Sequence, residues 1–173
     1  KRLALPIEGQ RDRVPHPSLA RHWWPDGSRL VLHRDPAQSE AAIADFSGQR
    51  SAAEFLQFHR LTARLYRAFN APMMQSGRPY LPGIVMNALG APPIWPALRP
   101  GRSLAGYLAK CFSDPRLRQL FGRYATYVGG APDLSPAVLA LIWQAEAQGV
   151  WAVRGGMHRL ACALADLAGR LGV

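Results

Sequence analysis

The sequence predicts an α+β chain, mostly helical, with a β-hairpin near its start and another strand before its last helix. Three observations carry this. Apolar and aromatic residues flank Pro25-Asp26-Gly27-Ser28 in ARHWWPDGSRLVLH, and an Asp-Gly pair accepts the left-handed backbone of a tight hairpin turn. Asp-Pro and Ser-Pro pairs recur, each followed by apolar residues three or four apart, as at helix starts. Near the end, the apolar run Val150-Trp151-Ala152-Val153 meets Arg154-Gly155-Gly156, and helical spacing resumes at once.

Size and charge bound the rest. A chain of 173 residues has one-domain length and can bury roughly 70% of its extended surface. With 49% apolar residues, wholesale disorder is excluded. Basic residues number 21 against 11 acidic, and all are arginine except Lys1 and Lys110. Such an excess favours an anionic contact: nucleic acid, anionic lipid or an acidic partner domain. The arginines are scattered with no dense run, so no nucleic acid is expected. The start, KRLALPIEGQRDRVPHP, has no sustained apolar core of a signal peptide. The chain lacks a starting Met and stops after Gly172-Val173, so a longer parent polypeptide is expected. Cys111 and Cys162 show neither a disulfide framework nor a zinc spacing. Both fall in apolar helical patterns, where buried free thiols are expected.

In chain order, strands are predicted near 20–24 and 29–33. A lone hairpin is marginal in water, so it must extend a sheet or lie on helices. Asp35-Pro36 is an N-cap followed by proline, with Gln38 at the capping-box position; the helix should run to Ser47 and stop at Gly48. Ser51 and Glu54 repeat the box ahead of a helix whose inward stripe is Phe55, Phe58, Thr62, Leu65 and Phe69. Arg60, Arg64 and Arg67 lie on another, solvated face. The stretch from Ala71 to Arg102 mixes prolines and glycines with large apolar residues. Pro82, Pro92, Pro93, Pro96 and Asn87 rule out a transmembrane helix there. It is either a loop packed over the core or an exposed apolar lip flanked by Arg78, Arg99 and Arg102.

Beyond Ser103 the chain is helical again. Asp114-Pro115 starts a helix with Leu117, Leu120, Phe121, Tyr124, Tyr127 and Val128 inward, ended by Gly129-Gly130. Ser135-Pro136 starts another through Val138, Leu141, Ile142 and Ala145, stopped by Gly149. The last helix should turn Met157, Leu160, Ala161, Leu164, Leu167, Ala168 and Leu171 inward.

Chemistry-bearing motifs are few. His16, His22, His33, His59 and His158 have no metal-ligand spacing, no serine sits in a nucleophile elbow, and no carboxylate pair stands out. His158 is a helix-surface histidine, and core packing accounts for Trp151 and Tyr127. The glycine pair is the best candidate: without Cβ atoms, backbone can approach a planar or anionic group, and a helix begins there with unpaired N–H groups. Yet G-x-G-x-x-G and the phosphate-loop lysine motif are both missing. From the residues alone, a simple tight turn and a cofactor contact both remain open.

WPDGSRLVLHRDPAQSEAAIADF, CFSDPRLRQLFGRYATYVGGAPDLSPA and GVWAVRGGMHRLACALADLAGRLG together resemble the bacterial carotenoid desaturases of the phytoene-desaturase type. The likeness runs from Ala20 to the end and leans to the branch acting on hydroxyneurosporene or methoxyneurosporene. It implies an internal fragment of an FAD-dependent flavoprotein related to the amine oxidases. Residues 1–148 would belong to the substrate-binding domain, and 149–173 would return toward the FAD domain. The resemblance places Gly155, Gly156 and Met157 beside the flavin and names no catalytic residue. Because the family's main glycine fingerprint is missing, the fragment is not expected to hold FAD by itself.

The implied substrate is a long apolar carotenoid, which favours the lip reading of residues 79–98. The implied location is the bacterial cytoplasm, peripherally on the cytoplasmic or photosynthetic membrane. Self-association of the fragment is expected where its strands lack neighbours. The competing reading is a non-catalytic helical binding or scaffold module that meets a membrane surface or an acidic partner.

Overall fold

The structure, a computed structural model, describes residues 13–16, 18–70, 82–83, 86, 89–90, 92–99 and 101–173. The fold is α+β and mostly helical. Strands β1 (Arg13–Pro15), β2 (Ala20–Trp23) and β3 (Arg29–Leu32) precede helices α1 (Pro36–Ser47) and α2 (Gln49–Phe69). A 3₁₀ turn (Pro92–Ile94) leads into α3 (Trp95–Leu98), followed by α4 (Leu104–Cys111) and α5 (Pro115–Gly122). Two 3₁₀ segments (Arg123–Val128 and Ala137–Leu141), α6 (Ile142–Ala147), β4 (Trp151–Val153) and α7 (Met157–Arg170) complete the order.

The predicted hairpin is β2–β3, antiparallel, with Ala20 opposite Leu32 and Trp23 opposite Arg29. Its loop differs in detail from the expectation. Gly27 alone takes a left-handed φ, of 81°, while Asp26 accepts the Ser28 N–H at 2.9 Å through its carboxylate. The loop has three residues, closed by the Gly27 N–H on the Trp24 carbonyl at 3.0 Å and the Trp24 N–H on the Ser28 carbonyl at 3.1 Å. Pro25, fixed at negative φ, cannot take the positive φ of a two-residue loop, and the Asp26 side chain adds an Asx-turn. The hairpin lies on helices, as its marginal size requires. Leu30 and Leu32 are buried, and Trp24 packs against Phe46 of α1 in a tilted pair with ring centroids 4.9 Å apart. Its Nε1–H donates to Gln119 of α5 at 2.9 Å.

Asp35 caps α1 by accepting from Ala37 N at 3.0 Å, and Gly48, at φ 89°, ends it. The same glycine starts α2, so the second capping box does not form. With the corner already turned, the helix opens at Gln49 and carries Ser51 inside its first turn. The Ser51 hydroxyl pairs with Ser47 at 2.9 Å, and Glu54 reaches instead to the Ser113 N–H at 2.8 Å.

The α2 stripe of Phe55, Phe58, Thr62, Leu65 and Phe69 is buried, and Arg60, Arg64 and Arg67 are exposed. Around this stripe the core is an aromatic cluster. Phe121 lies 4.8 Å from Phe58, 5.0 Å from Phe112 in a stacked pair and 5.6 Å from Trp143 edge-on. Offset and edge-to-face pairs of this kind add to plain burial.

Three packing expectations need correction. Tyr127 and Val128 are exposed because the helix tightens to 3₁₀ at Arg123, and a threefold turn rotates the stripe off the core. The helix from Ser135-Pro136 likewise opens as 3₁₀, with no side-chain cap. That shift buries Trp143 and leaves Ala145 outside. The stripe of α7 is uncovered: Met157 is 65%, Leu164 48% and Leu171 56% exposed. No described residue of that helix is buried, and Cys162 is therefore exposed where a buried thiol was expected, while Cys111 is half-buried. The apolar stretch from Ala71 to Arg102 lies partly outside the described residues, Arg78 and Asn87 included.

Candidate functional site

The predicted strand before the glycines is present as β4. It pairs antiparallel with β1, Val14 opposite Ala152 and Pro15 opposite Trp151, and the His16 N–H extends the ladder to the Val150 carbonyl at 2.9 Å. Trp151 is exposed rather than core. Its ring sits under the Arg34 guanidinium at 5.3 Å, and the Arg34 stem lies 3.3 Å from where a Cβ on Gly149 would stand. One arginine at the β3–α1 corner thus covers both the aromatic face and a bare backbone at the entry to β4. Sequence spacing offered no sign of this contact.

The turn that follows needs its glycines. Gly155 has φ 80° and Gly156 φ 86°, a region costing other L-residues roughly 1–2 kcal/mol. Gly156 N–H closes back on the Val153 carbonyl at 2.9 Å. A Cβ on Gly155 would collide with Arg159 Cδ at 2.6 Å, whereas Gly156 faces open space with nothing within 4 Å. Gly156 caps α7 without any side-chain acceptor, so the helix opens with bare N–H donors beside Met157, which is itself exposed. An open glycine at positive φ next to unfilled helix donors fits a flat or anionic group. His158 is on the helix surface, with Nε2 3.4 Å from Cys162 Sγ.

A second polar constellation, not foreseen from the sequence, joins the hairpin to α6. The Glu146 carboxylate accepts from Arg123, from the Tyr124 hydroxyl at 3.0 Å and from the Tyr127 hydroxyl at 3.0 Å. Burial drives the Tyr124 hydroxyl well above its ordinary range, with Glu146 adding to the effect. His22 of β2 is lowered to about 4, first by burial and then by the Arg123 charge. Its Nε2 is buried without a hydrogen-bond partner. At neutral pH the cluster therefore holds a neutral His22 imidazole and an un-ionised Tyr124 phenol, neither poised to exchange a proton near pH 7.

Concave surface also lies along the hairpin, where Arg21, His22, Trp23 and Arg29 line a depression of about 380 Å³, and between α2, α3 and α4. A small pocket of about 170 Å³ is lined by residues including Phe58, Leu61, Pro96, Tyr107 and Cys111. Burial pushes the Cys111 thiol up to about 11, which leaves it protonated and a poor nucleophile. Among the described residues, no group of three His, Cys, Asp or Glu could hold a metal ion. No described helix is long and apolar enough to cross a membrane.

No family model matches the chain, but curated proteins do. Hydroxyneurosporene desaturase of Cereibacter sphaeroides is 59% identical over 92% of this chain and 32% of its own length. The protein of the same name from Rhodobacter capsulatus is 52% identical over the same shares of both chains. Phytoene dehydrogenase of Streptomyces griseus is 35% identical over 85% of this chain and 29% of its own. With the mostly helical α+β fold and its hairpin, these matches define the class as that of the carotenoid desaturases and dehydrogenases. The chain belongs to the hydroxyneurosporene desaturase family, and it spans about a third of the length of the curated relatives it matches.

Proposed function

We propose that the chain is the substrate-domain portion of an FAD-dependent oxidoreductase that desaturates a carbon–carbon bond of an acyclic carotenoid such as hydroxyneurosporene. The observation that carries this reading is the 59% identity to a hydroxyneurosporene desaturase across 92% of the chain. In this reading residues 1–148 contribute to the substrate-binding domain, and residues 149–173 return toward the FAD domain. The bacterial protein works in the cytoplasm, peripherally on the cytoplasmic or photosynthetic membrane.

Gly155, Gly156 and Met157 are the residues proposed to meet the flavin. The open face of Gly156 and the uncapped start of α7 support this, since backbone can come close there and offer N–H donors. When bound, FAD supplies the two-electron acceptor, and the protein's part is binding and orientation. This chain's own residues do the placing. Met86, Leu89 and Trp95 present apolar surface outward, suited to passing a hydrocarbon guest from a membrane surface into the domain because each Å² withdrawn from water is worth roughly 25 cal/mol. Holding one bond of a long polyene in register can account for much of a barrier reduction.

The test uses the full-length parent, loaded with FAD and incubated with hydroxyneurosporene. A product with a longer conjugated chromophore, absorbing further to the red, is expected. An unchanged spectrum from folded, flavin-loaded protein overturns the reading.

A further inference from the structure

We propose that the turn joining α3 to α4 is a binding site for the phosphate of an anionic phospholipid headgroup, through which the protein docks on a membrane surface. The proposal rests on the peripheral-membrane reading above and names the residues that would serve it. Arg99, Arg102 and Lys110, with Gly101, Ser103 and Gly106, line an open depression of about 420 Å³. Three cations and no carboxylate form this lining. The Arg102 N–H closes on the Arg99 carbonyl at 3.1 Å, and Gly101 adopts φ 74° with nothing within 4 Å of an added Cβ. The turn thus draws two guanidinium-bearing residues to one mouth and leaves that mouth open.

The attraction comes from the side chains, not from the end of α4. The first donors of that helix are already used: Leu104 N–H bonds the Ser135 carbonyl at 2.7 Å and Ala105 N–H the Pro132 carbonyl at 3.0 Å. Gly106 N–H bonds Ser103 Oγ at 3.1 Å.

Exposed apolar residues on α3 and in the chain before it select the occupant. Ile94 and Ala97 are buried and anchor α3. Trp95 between them is 49% exposed, while Met86 is 68% and Leu89 59% exposed. Arg102 ties this segment to the basic mouth, its Nη1 donating to the Pro96 carbonyl at 3.2 Å. A nucleic acid or an acidic peptide would engage the cations and leave the apolar side chains in water. A phospholipid surface meets both: phosphates take the arginines and lysine, and the indole takes the interface depth that tryptophan favours.

Co-sedimentation of the chain with phosphatidylcholine vesicles, with and without phosphatidylglycerol, tests this. The unsubstituted chain should bind the phosphatidylglycerol vesicles more tightly. Arg99→Gln/Lys110→Gln should weaken that binding roughly 25-fold, about fivefold per cation lost. Arg60→Gln/Arg67→Gln removes equal charge from the exposed face of α2 and should weaken it less than about threefold. Arg102→Lys keeps the charge and should retain most of the binding. Trp95→Ala should weaken binding to both vesicle types, and inorganic phosphate should compete only at concentrations far above the lipid phosphate. Equal losses from the two double variants would show diffuse attraction by net charge and overturn the site while leaving peripheral attachment intact. No binding to either vesicle would overturn both. The substituted positions are exposed except for the half-buried Arg102, and unchanged far-ultraviolet dichroism confirms that each variant is folded.

Discussion

The Ser39 hydroxyl bridges the backbone of His33 on both sides: it accepts the His33 N–H at 2.8 Å and donates to the His33 carbonyl at 2.9 Å. Ser39 is fully buried in α1, so one side chain fastens the end of β3 to the helix that covers it. Ser39→Ala leaves two backbone groups without partners in a half-buried place, each costing about 1–3 kcal/mol. The variant should lose about 2–4 kcal/mol of unfolding free energy in urea titration, and Ser39→Thr should lose less.

Two titrations shape acid stability in separate windows. Hydrogen bonds from the Arg116 side chain, then from Ser47, hold the Asp114 carboxyl at about 2, below the ordinary 3.8 of an aspartate. The unfolded chain therefore binds more protons between those values, and the contribution of Asp114, complete above about pH 4, is lost as pH falls toward 2. His22 at about 4 instead of 6.5 works in the same direction but higher. The unfolded imidazole takes a proton first, so stability declines as pH falls from about 6.5 to 4. Denaturation midpoints measured across pH should show both slopes. His22→Gln should flatten the upper one and Asp114→Asn the lower one; an unchanged profile in either variant contradicts that assignment.

The hairpin, the Asp35 and Asp114 caps and the α2 stripe were legible in the sequence because each is set locally. A carboxylate reaches an N–H two residues on, and apolar residues on a helix share one face whatever lies opposite. Ser51 and Glu54 were misjudged because Gly48 turns the corner early, an event that depends on how α1 and α2 meet. Apolar spacing selects Ala145 over Trp143 because it does not report the 3₁₀ turn that shifts the register. Arg34 over Trp151 and the Glu146 cluster join residues distant in sequence, for which no motif exists. Met157, Leu164 and Leu171 were placed inward on sound periodicity. The pattern identifies an apolar face but not the surface that covers it.

The aromatic cluster predicts one severe core substitution. Phe121 contacts Phe55, Phe58, Phe112, Tyr124 and Trp143 and is fully buried. Phe121→Ala should cost about 3–5 kcal/mol, and Phe121→Leu markedly less. Loss of Trp143 near-ultraviolet dichroism should accompany the first variant, since its edge-on partner is removed.

The uncovered stripe of α7 predicts association of the chain with itself. Leu164 and Leu171 are seven residues apart, on one exposed face of the helix, and each leucine withdrawn from water contributes about 1.5–3 kcal/mol. Light scattering should show mass rising with concentration, and Leu164→Lys/Leu171→Lys should restore a monomer. A concentration-independent monomer from the unsubstituted chain counts against this use of the face.

The glycine turn allows conformational strain to be separated from a flavin contact. Gly155→Ala forces a side chain onto positive-φ backbone at roughly 1–2 kcal/mol. Gly156→Ala forces one to φ 86°, ψ 167°, a region essentially confined to glycine, at about 1–3 kcal/mol. Only the first also strikes Arg159, at 2.6 Å. Arg159→Ala should therefore relieve part of the Gly155→Ala loss and none of the Gly156→Ala loss in thermal denaturation. In the flavin-loaded parent Gly156→Ala should cause the larger fall in the flavin-to-protein absorbance ratio, because its open face is the one proposed to meet the cofactor. Folded Gly156→Ala protein with full flavin content would remove Gly156 from the site.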